Sequence, residues 1–152
     1  MKKRWKKTAA AVFMIIALVC LTGVFLIRDS AENLELTHYT AESAGLPESF
    51  AGFKIVQLPD FHGAEFVDDI VTLVKAEKPD IIALTGDFIT DGGDLPAVRE
   101  LAQRLTDICD VYFVSGNHDF ASGKIDELSD ILKACGVKYL RNEYVVLERR
   151  GE

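Results

Sequence analysis

The chain divides by pattern before it divides by chemistry. Thr8 to Ile27 runs for twenty residues without a charge, preceded by Lys2, Lys3, Arg4, Lys6 and Lys7 and closed by Arg28. A stretch of this length is long enough to cross a hydrocarbon core as a helix. It is apolar all round, so no polar face is left to meet water as on the surface of a globular domain. It is also longer than the apolar core of a cleavable leader, and no clear Ala-x-Ala site follows it. Cys20 is preceded by Val19, too bulky for a good lipidation site. The pattern therefore predicts a basic segment at 1–7, an anchor at 8–27, a stalk with a short edge strand at 28–50, and a folded domain at 51–152.

From Phe53 onward the spacing becomes regular. Lys54 to Leu58, Asp80 to Leu84 and Val111 to Val114 are short apolar runs rich in β-branched and aromatic residues. Between them apolar residues recur at helical spacing: Val67, Ile70, Val71 and Val74, then Leu95, Val98, Leu101, Ala102, Leu105 and Ile108. Ile125, Leu128, Ile131 and Leu132 mark a third helix, which Gly136 ends. Asp94 and Pro96 form a start signal for the second helix. Val137 to Leu140 predicts a fourth strand, Tyr144 to Leu147 a fifth, and Asn33 to Thr40 the edge strand. Strand and helix alternate, so the fold class is α/β. Nearly continuous apolar strands fit a parallel sheet covered on both faces by helices.

Charge adds orientation. The first twenty-seven residues hold five of the seventeen basic residues and no acidic one, leaving twelve basic against twenty-four acidic, a net charge of −12, for the rest. The basic block belongs in the cytoplasm, which places the C-terminal part outside. That part has no basic patch, which argues against nucleic acid as a partner. Cys109 and Cys135 lack metal-type spacing. Cys135 falls on the apolar stripe of the third helix, and an outside location would permit a disulfide between the two.

Each of the first three apolar runs ends in a polar cluster: Asp60 and His62, then Gly86 and Asp87, then Gly116, Asn117, His118 and Asp119. Asp60 and Asp87 are 27 residues apart, and Asp87 and Asn117 are 30 apart, each one strand–helix–strand unit. All three clusters thus fall at the carboxyl edge of one sheet, where open α/β folds bind ligands. Two carboxylates, an imidazole and an amide oxygen suit borderline divalent ions such as Mn²⁺, Zn²⁺ or Fe²⁺. A carboxylate can bridge two ions, and a pair roughly 3.5–4 Å apart clamps the attacking and leaving oxygens of a phosphoryl displacement. Gly86 and Gly116 let the backbone approach closely. Glu65, Asp68 and Asp69 read as a solvated helix start, and His38 as a structural residue.

Asp60-Phe61-His62, Gly86-Asp87 and Gly116-Asn117-His118-Asp119, in this order at three strand ends, resemble the D-x-H, G-D and G-N-H-[D/E] motifs of the calcineurin-like metallophosphoesterases. The anchor and the segment Leu46 to Leu58 resemble the membrane-associated bacterial branch. The resemblance implies the βαβαβ start of a metallophosphoesterase sandwich and a phosphate-ester substrate. It implies two divalent ions, with Asp60 and His62 on the first, Asp87 bridging and Asn117 on the second. His118 would face the substrate phosphate and stabilise the transition state or protonate the leaving oxygen. Asp119 would orient the His118 ring, or cap the next helix. Water activated by the ions would be the nucleophile.

Two departures stand out. Pro59 occupies a position where the family often has Ser. The family's later G-H-x-H segment has no counterpart here, because His38, His62 and His118 are the only histidines. The expectation is therefore a partial centre with weak or absent hydrolysis by this chain alone. The alternative is a membrane-tethered binding or regulatory module without catalysis.

Overall fold

The computed structural model describes residues 13–23, 34–63, 66–90, 93 and 95–151. The chain separates into two units, up to Thr37 and from His38 onward. In the first, residues 13–23 are helical (α1), with Phe13, Met14, Ile15, Leu18 and Leu21 exposed. Among the described residues no helix is long and apolar enough to cross a membrane. Residues 13–23 are the described part of the twenty-residue run expected to span over 8–27. The rest of that run and the basic block at 1–7 lie outside the described residues.

In the second unit, β1 (Ile55–Leu58), β2 (Ile81–Leu84), β3 (Asp110–Phe113) and β4 (Lys138–Tyr139) form one sheet in the order β1-β2-β3-β4. All neighbours are parallel, with Ile55 beside Ile81, Ile81 beside Asp110 and Tyr112 beside Lys138. The helices are α2 (Val67–Glu77), α3 (Leu95–Thr106), the short α4 (Asn117–Ala121) and α5 (Ile125–Ala134). Each long helix buries most of the stripe its spacing predicts: Val67, Ile70, Val71 and Val74 on α2, Leu95, Val98, Leu101, Ala102 and Leu105 on α3, Leu128, Ile131 and Leu132 on α5. Ile108 falls beyond the end of α3, and it and Ile125 are only partly buried. A fully buried side chain of this kind contributes roughly 1.5–3 kcal/mol.

Gly136 ends α5 as its position foretold. Its φ is 87°, its amide donates to the Lys133 carbonyl at 3.0 Å, and the Val137 amide reaches back to Leu132 at 3.0 Å. This paired closure needs a left-handed residue at Gly136.

Three expectations fail. Among the described residues, helices do not cover both faces of the sheet: α2 packs on α3 and α3 on α5, in one layer. Right-handed crossovers that always step the same way, β1 to β4, deliver every helix to the same face. On the opposite face Ile55 is 56% exposed, Gln57 bonds Thr85 at 3.0 Å, and Lys138 lies over the Tyr112 ring. The other two failures are strands. Described residues 34–40 and 144–147 pair with no strand, and Tyr39, Tyr144 and Val146 stay exposed. Alternation in sequence makes a strand only where a neighbour takes up the backbone groups. Asp94 lies outside the described residues, so the α3 cap stays a sequence expectation; so does Glu65 at the start of α2.

At the amino edge of the sheet the Lys54 ammonium binds the Glu77 carbonyl at 2.7 Å and the Glu77 carboxylate at 3.1 Å, fastening the end of α2 to the start of β1. His38 Nε2 meets the same carboxylate at 3.2 Å. This agrees with the structural role expected for His38 and puts it at the edge opposite the polar clusters.

Candidate metal centre

Beyond its strands the sheet continues as a lace of loop hydrogen bonds. The Thr85 amide donates to the Leu58 carbonyl, the Asp60 amide to Gly86 and the His62 amide to Asp87, all at 3.1 Å. The Val114 amide donates to Leu84 at 3.0 Å. These bonds extend the parallel ladder into the three polar clusters and fix them relative to one another.

Asp60, His62 and Asp87 all take left-handed backbone, with φ of 52°, 51° and 55°. A non-glycine residue in such a conformation costs roughly 1–3 kcal/mol unless its surroundings hold it there, and such residues gather at functional sites. The result is convergence. One ligand atom from each of Asp60, His62 and Asp87 lies within 4.8 Å of the others. His62 Nε2 is 3.8 Å from Asp60 Oδ1. Two carboxylates and an imidazole meeting at a strand edge form a donor set that fits a borderline divalent cation.

The third cluster joins this set. The His118 amide donates to Asp87 Oδ1 at 2.9 Å, and the His118 ring stands edge-on to the His62 ring, centroids 5.2 Å apart. Asn117 opens α4 between Gly116 and His118 and is exposed. Its side chain makes no hydrogen bond among the described residues, so the amide oxygen has no competing partner there.

Asp119 sits elsewhere in the design. It is fully buried. Its Oδ2 accepts from the amides of Asp87 at 2.9 Å and Gly116 at 2.8 Å, and its Oδ1 from Phe88 at 2.8 Å and Ile89 at 3.0 Å. Both oxygens are thus occupied by backbone, and the carboxylate buckles the Asp87 loop to the Gly116 loop instead of reaching the His118 ring. The Gly116 bond closes the first turn of α4, in which Asp119 itself lies. The next helix, α5, is preceded by Lys124 without a side-chain cap, so Asp119 does not cap it.

The two glycines answer to the same crowding. A Cβ on Gly86, whose φ is 90°, would lie 2.4 Å from the Gly116 nitrogen, and one on Gly116 would lie 2.2 Å from Asp87 Oδ1. What they admit is the other loop.

Comparison with known sequences decides the family. Residues 53–149 match the model of the calcineurin-like phosphoesterases. The chain belongs to this family. It is 32% identical over 127 residues to an uncharacterized metallophosphoesterase, YkuE, of Bacillus subtilis, covering 75% of this chain and 43% of that protein. It is 30% identical over 109 residues to the phosphodiesterase YaeI of Escherichia coli, covering 66% and 40%. A transmembrane protein with metallophosphoesterase domain from Danio rerio is 24% identical over 144 residues, covering 90% and 32%. The chain thus spans less than half the length of each of these relatives.

The family is one of phosphoesterases, and Asp60, His62 and Asp87 form a group that could hold a metal ion. Sequence reasoning missed the aromatic residues beside the candidate ligands. Phe61 lies between Asp60 and His62, and Phe88 directly follows Asp87; both are buried in the core. Their adjacency to the motif residues was the available signal. Cys109 and Cys135 are free thiols, so the disulfide that an outside location would permit is not formed.

Proposed function

We propose that this chain carries a metal-dependent phosphoesterase centre acting on phosphate mono- or diesters, built on two divalent ions of the Mn²⁺, Zn²⁺ or Fe²⁺ class. The convergence of Asp60, His62 and Asp87 within 4.8 Å is the observation that supports it. Asp60 and His62 would hold the first ion, Asp87 would serve both, and Asn117 would offer its amide oxygen to the second. The ions supply Lewis acidity toward the phosphoryl oxygens and toward water. His118, exposed and edge-on to His62, faces the ester; its imidazole stabilises charge on the transferring phosphoryl group or protonates the leaving oxygen. Asp119 acts through backbone, holding Asp87 and His118 in register.

The uncharged run at 8–27 behind a basic block supports an anchored protein with the domain outside the cytoplasm. Relatives named as transmembrane proteins support the same reading. A lipid or cell-envelope ester is the substrate class that such a location favours. Since one relative is named a phosphodiesterase, bis(p-nitrophenyl) phosphate is the first substrate to try. The test is its hydrolysis with added Mn²⁺, beside p-nitrophenyl phosphate. Slow, chelator-sensitive turnover that His118→Ala abolishes is expected. Turnover indifferent to chelation contradicts the proposal.

A second reading, a tethered binding or regulatory module, is favoured by the histidine count. His38 is occupied with Glu77 at the far edge, leaving His62 and His118 for the site. Binding of Mn²⁺ and phosphate with no turnover on either ester would select it.

A further inference from the structure

Four aromatic rings stand in a row across the sheet, each carried by a different strand or the loop after it. Phe61 packs on Phe88 with centroids 5.6 Å apart, Phe88 on Phe113 at 5.5 Å, and Phe113 on Tyr139 at 5.1 Å. Phe61, Phe88 and Phe113 are 3%, 1% and 0% exposed, and Tyr139 is half-buried. The Tyr139 hydroxyl donates to Ser115 Oγ at 3.0 Å. Every member thus borders a cluster: Phe61 sits inside the first, Phe88 touches the second, and Phe113 and Tyr139 flank the third, Tyr139 through Ser115.

We propose that this row is a positioning element that sets the spacing of the three loops carrying Asp60, His62, Asp87 and His118. The proposal rests on the metal-centre reading for its functional meaning. The physical argument is stiffness. Aromatic rings have few rotamers and defined packing distances, so a row of them fixes the separation of the backbones that carry them. A close-packed interior transmits displacement, and a smaller side chain leaves space into which neighbours partly collapse. Asp60, His62 and Asp87 hold left-handed backbones that relax unless their surroundings determine them. Hydrogen bonds between loops fix local register; the rings fix how far apart the loops stand.

Phe113→Leu is the discriminating variant, because Phe113 is distant in sequence from Asp60, His62 and Asp87. Val98→Ala, in the same core on α3, is the control for lost stability. In the metal-free full chain, Phe113→Leu is expected to move the amide resonances of Asp60, His62 and Asp87, and Val98→Ala to leave them in place. In Mn²⁺ titrations followed by electron paramagnetic resonance, Phe113→Leu should weaken affinity by about tenfold, the scale typical of residues that orient metal ligands, and Val98→Ala should not. If Phe113→Leu does not fold, Tyr139→Leu at the half-buried end takes its place, with Tyr139→Phe, which keeps the ring, recovering wild-type affinity. Unmoved loop resonances, equal weakening by Phe113→Leu and Val98→Ala, or Tyr139→Phe as impaired as Tyr139→Leu would overturn the proposal. A wild-type chain that binds no Mn²⁺ would remove the metal-centre reading, while the metal-free resonances would still decide the role of the rings.

Discussion

The Asp87 amide donates to Asp119 Oδ2 at 2.9 Å, so the residue at the heart of the ligand set is held by a buried carboxylate 32 positions away. The same carboxylate takes the amides of Phe88, Ile89 and Gly116. Asp119→Ala strands these donors, of which those of Phe88 and Ile89 are buried. With a buried unsatisfied donor costing about 1–3 kcal/mol and the losses only partly additive, the expected destabilisation is roughly 3–5 kcal/mol. Urea unfolding followed by circular dichroism measures it. Asp119→Asn, which places a donor against donors, should fall between the wild type and Asp119→Ala. A loss below about 1 kcal/mol for Asp119→Ala, no more than one ordinary hydrogen bond, would contradict this role.

Gly116 and Asp87 make a second, steric pairing. A methyl at position 116 would sit 2.2 Å from Asp87 Oδ1, an atom proposed to bind metal, and 2.6 Å from the Asp87 nitrogen. Gly116→Ala should therefore abolish Mn²⁺ binding even where the chain stays folded, because the carboxylate must turn away. Gly86→Ala meets backbone at 2.4 Å and also needs a left-handed alanine, so its main effect should be on stability. Melting temperature and Mn²⁺ affinity measured on both variants separate the two effects. Similar behaviour of the pair would contradict the assignment.

Lys54 and His38 hydrogen bonds hold the Glu77 carboxyl below its usual range, Lys54 contributing most. A lowered folded pKa means that the unfolded chain takes up the proton first as pH falls. This contribution is fully present above the ordinary carboxylate pKa and is lost as pH falls through the lowered folded value. Glu77→Gln should lower stability near neutrality and flatten the acid limb of the stability curve, converging with the wild type at low pH. An unchanged acid limb would remove Glu77 from the fastening of α2 to β1.

Burial pushes the Cys109 thiol up, with Asp110 and Asp80 adding to the shift, and burial likewise raises Cys135, opposed by Arg99. Both should be alkylated more slowly at neutral pH in the folded chain than in urea, since the thiolate is the reactive form. Mass spectrometry of the alkylated chain should find two free thiols at these positions. A disulfide linking them would contradict the structure.

Much of the second unit was legible from periodicity. Val67, Ile70, Val71 and Val74, and the corresponding residues of α3 and α5, lie on the buried faces because helical spacing reports burial directly. The convergence of Asp60, His62 and Asp87 followed from parallel order, since each strand delivers its end to the same edge. Coverage of the sheet did not follow, because apolar strands look alike whether helices lie on one face or two; the crossover direction decides it. Tyr144 to Leu147 misled because alternation does not reveal whether a neighbouring strand exists. Asp119 was legible as a motif member but not in its role: only the fold brings Asp87, Phe88 and Ile89 to its carboxylate. The row from Phe61 to Tyr139 joins residues far apart in sequence, so no local pattern announces it.

The central claim is that Asp60, His62 and Asp87 hold metal together. Isothermal titration of the full chain with Mn²⁺, beside Asp87→Asn and His62→Ala, tests it most directly. Saturable binding by the wild type, weakened at least about tenfold in either variant while the fold persists, is the predicted result. Equal affinity in all three proteins, or none in the wild type, would contradict it.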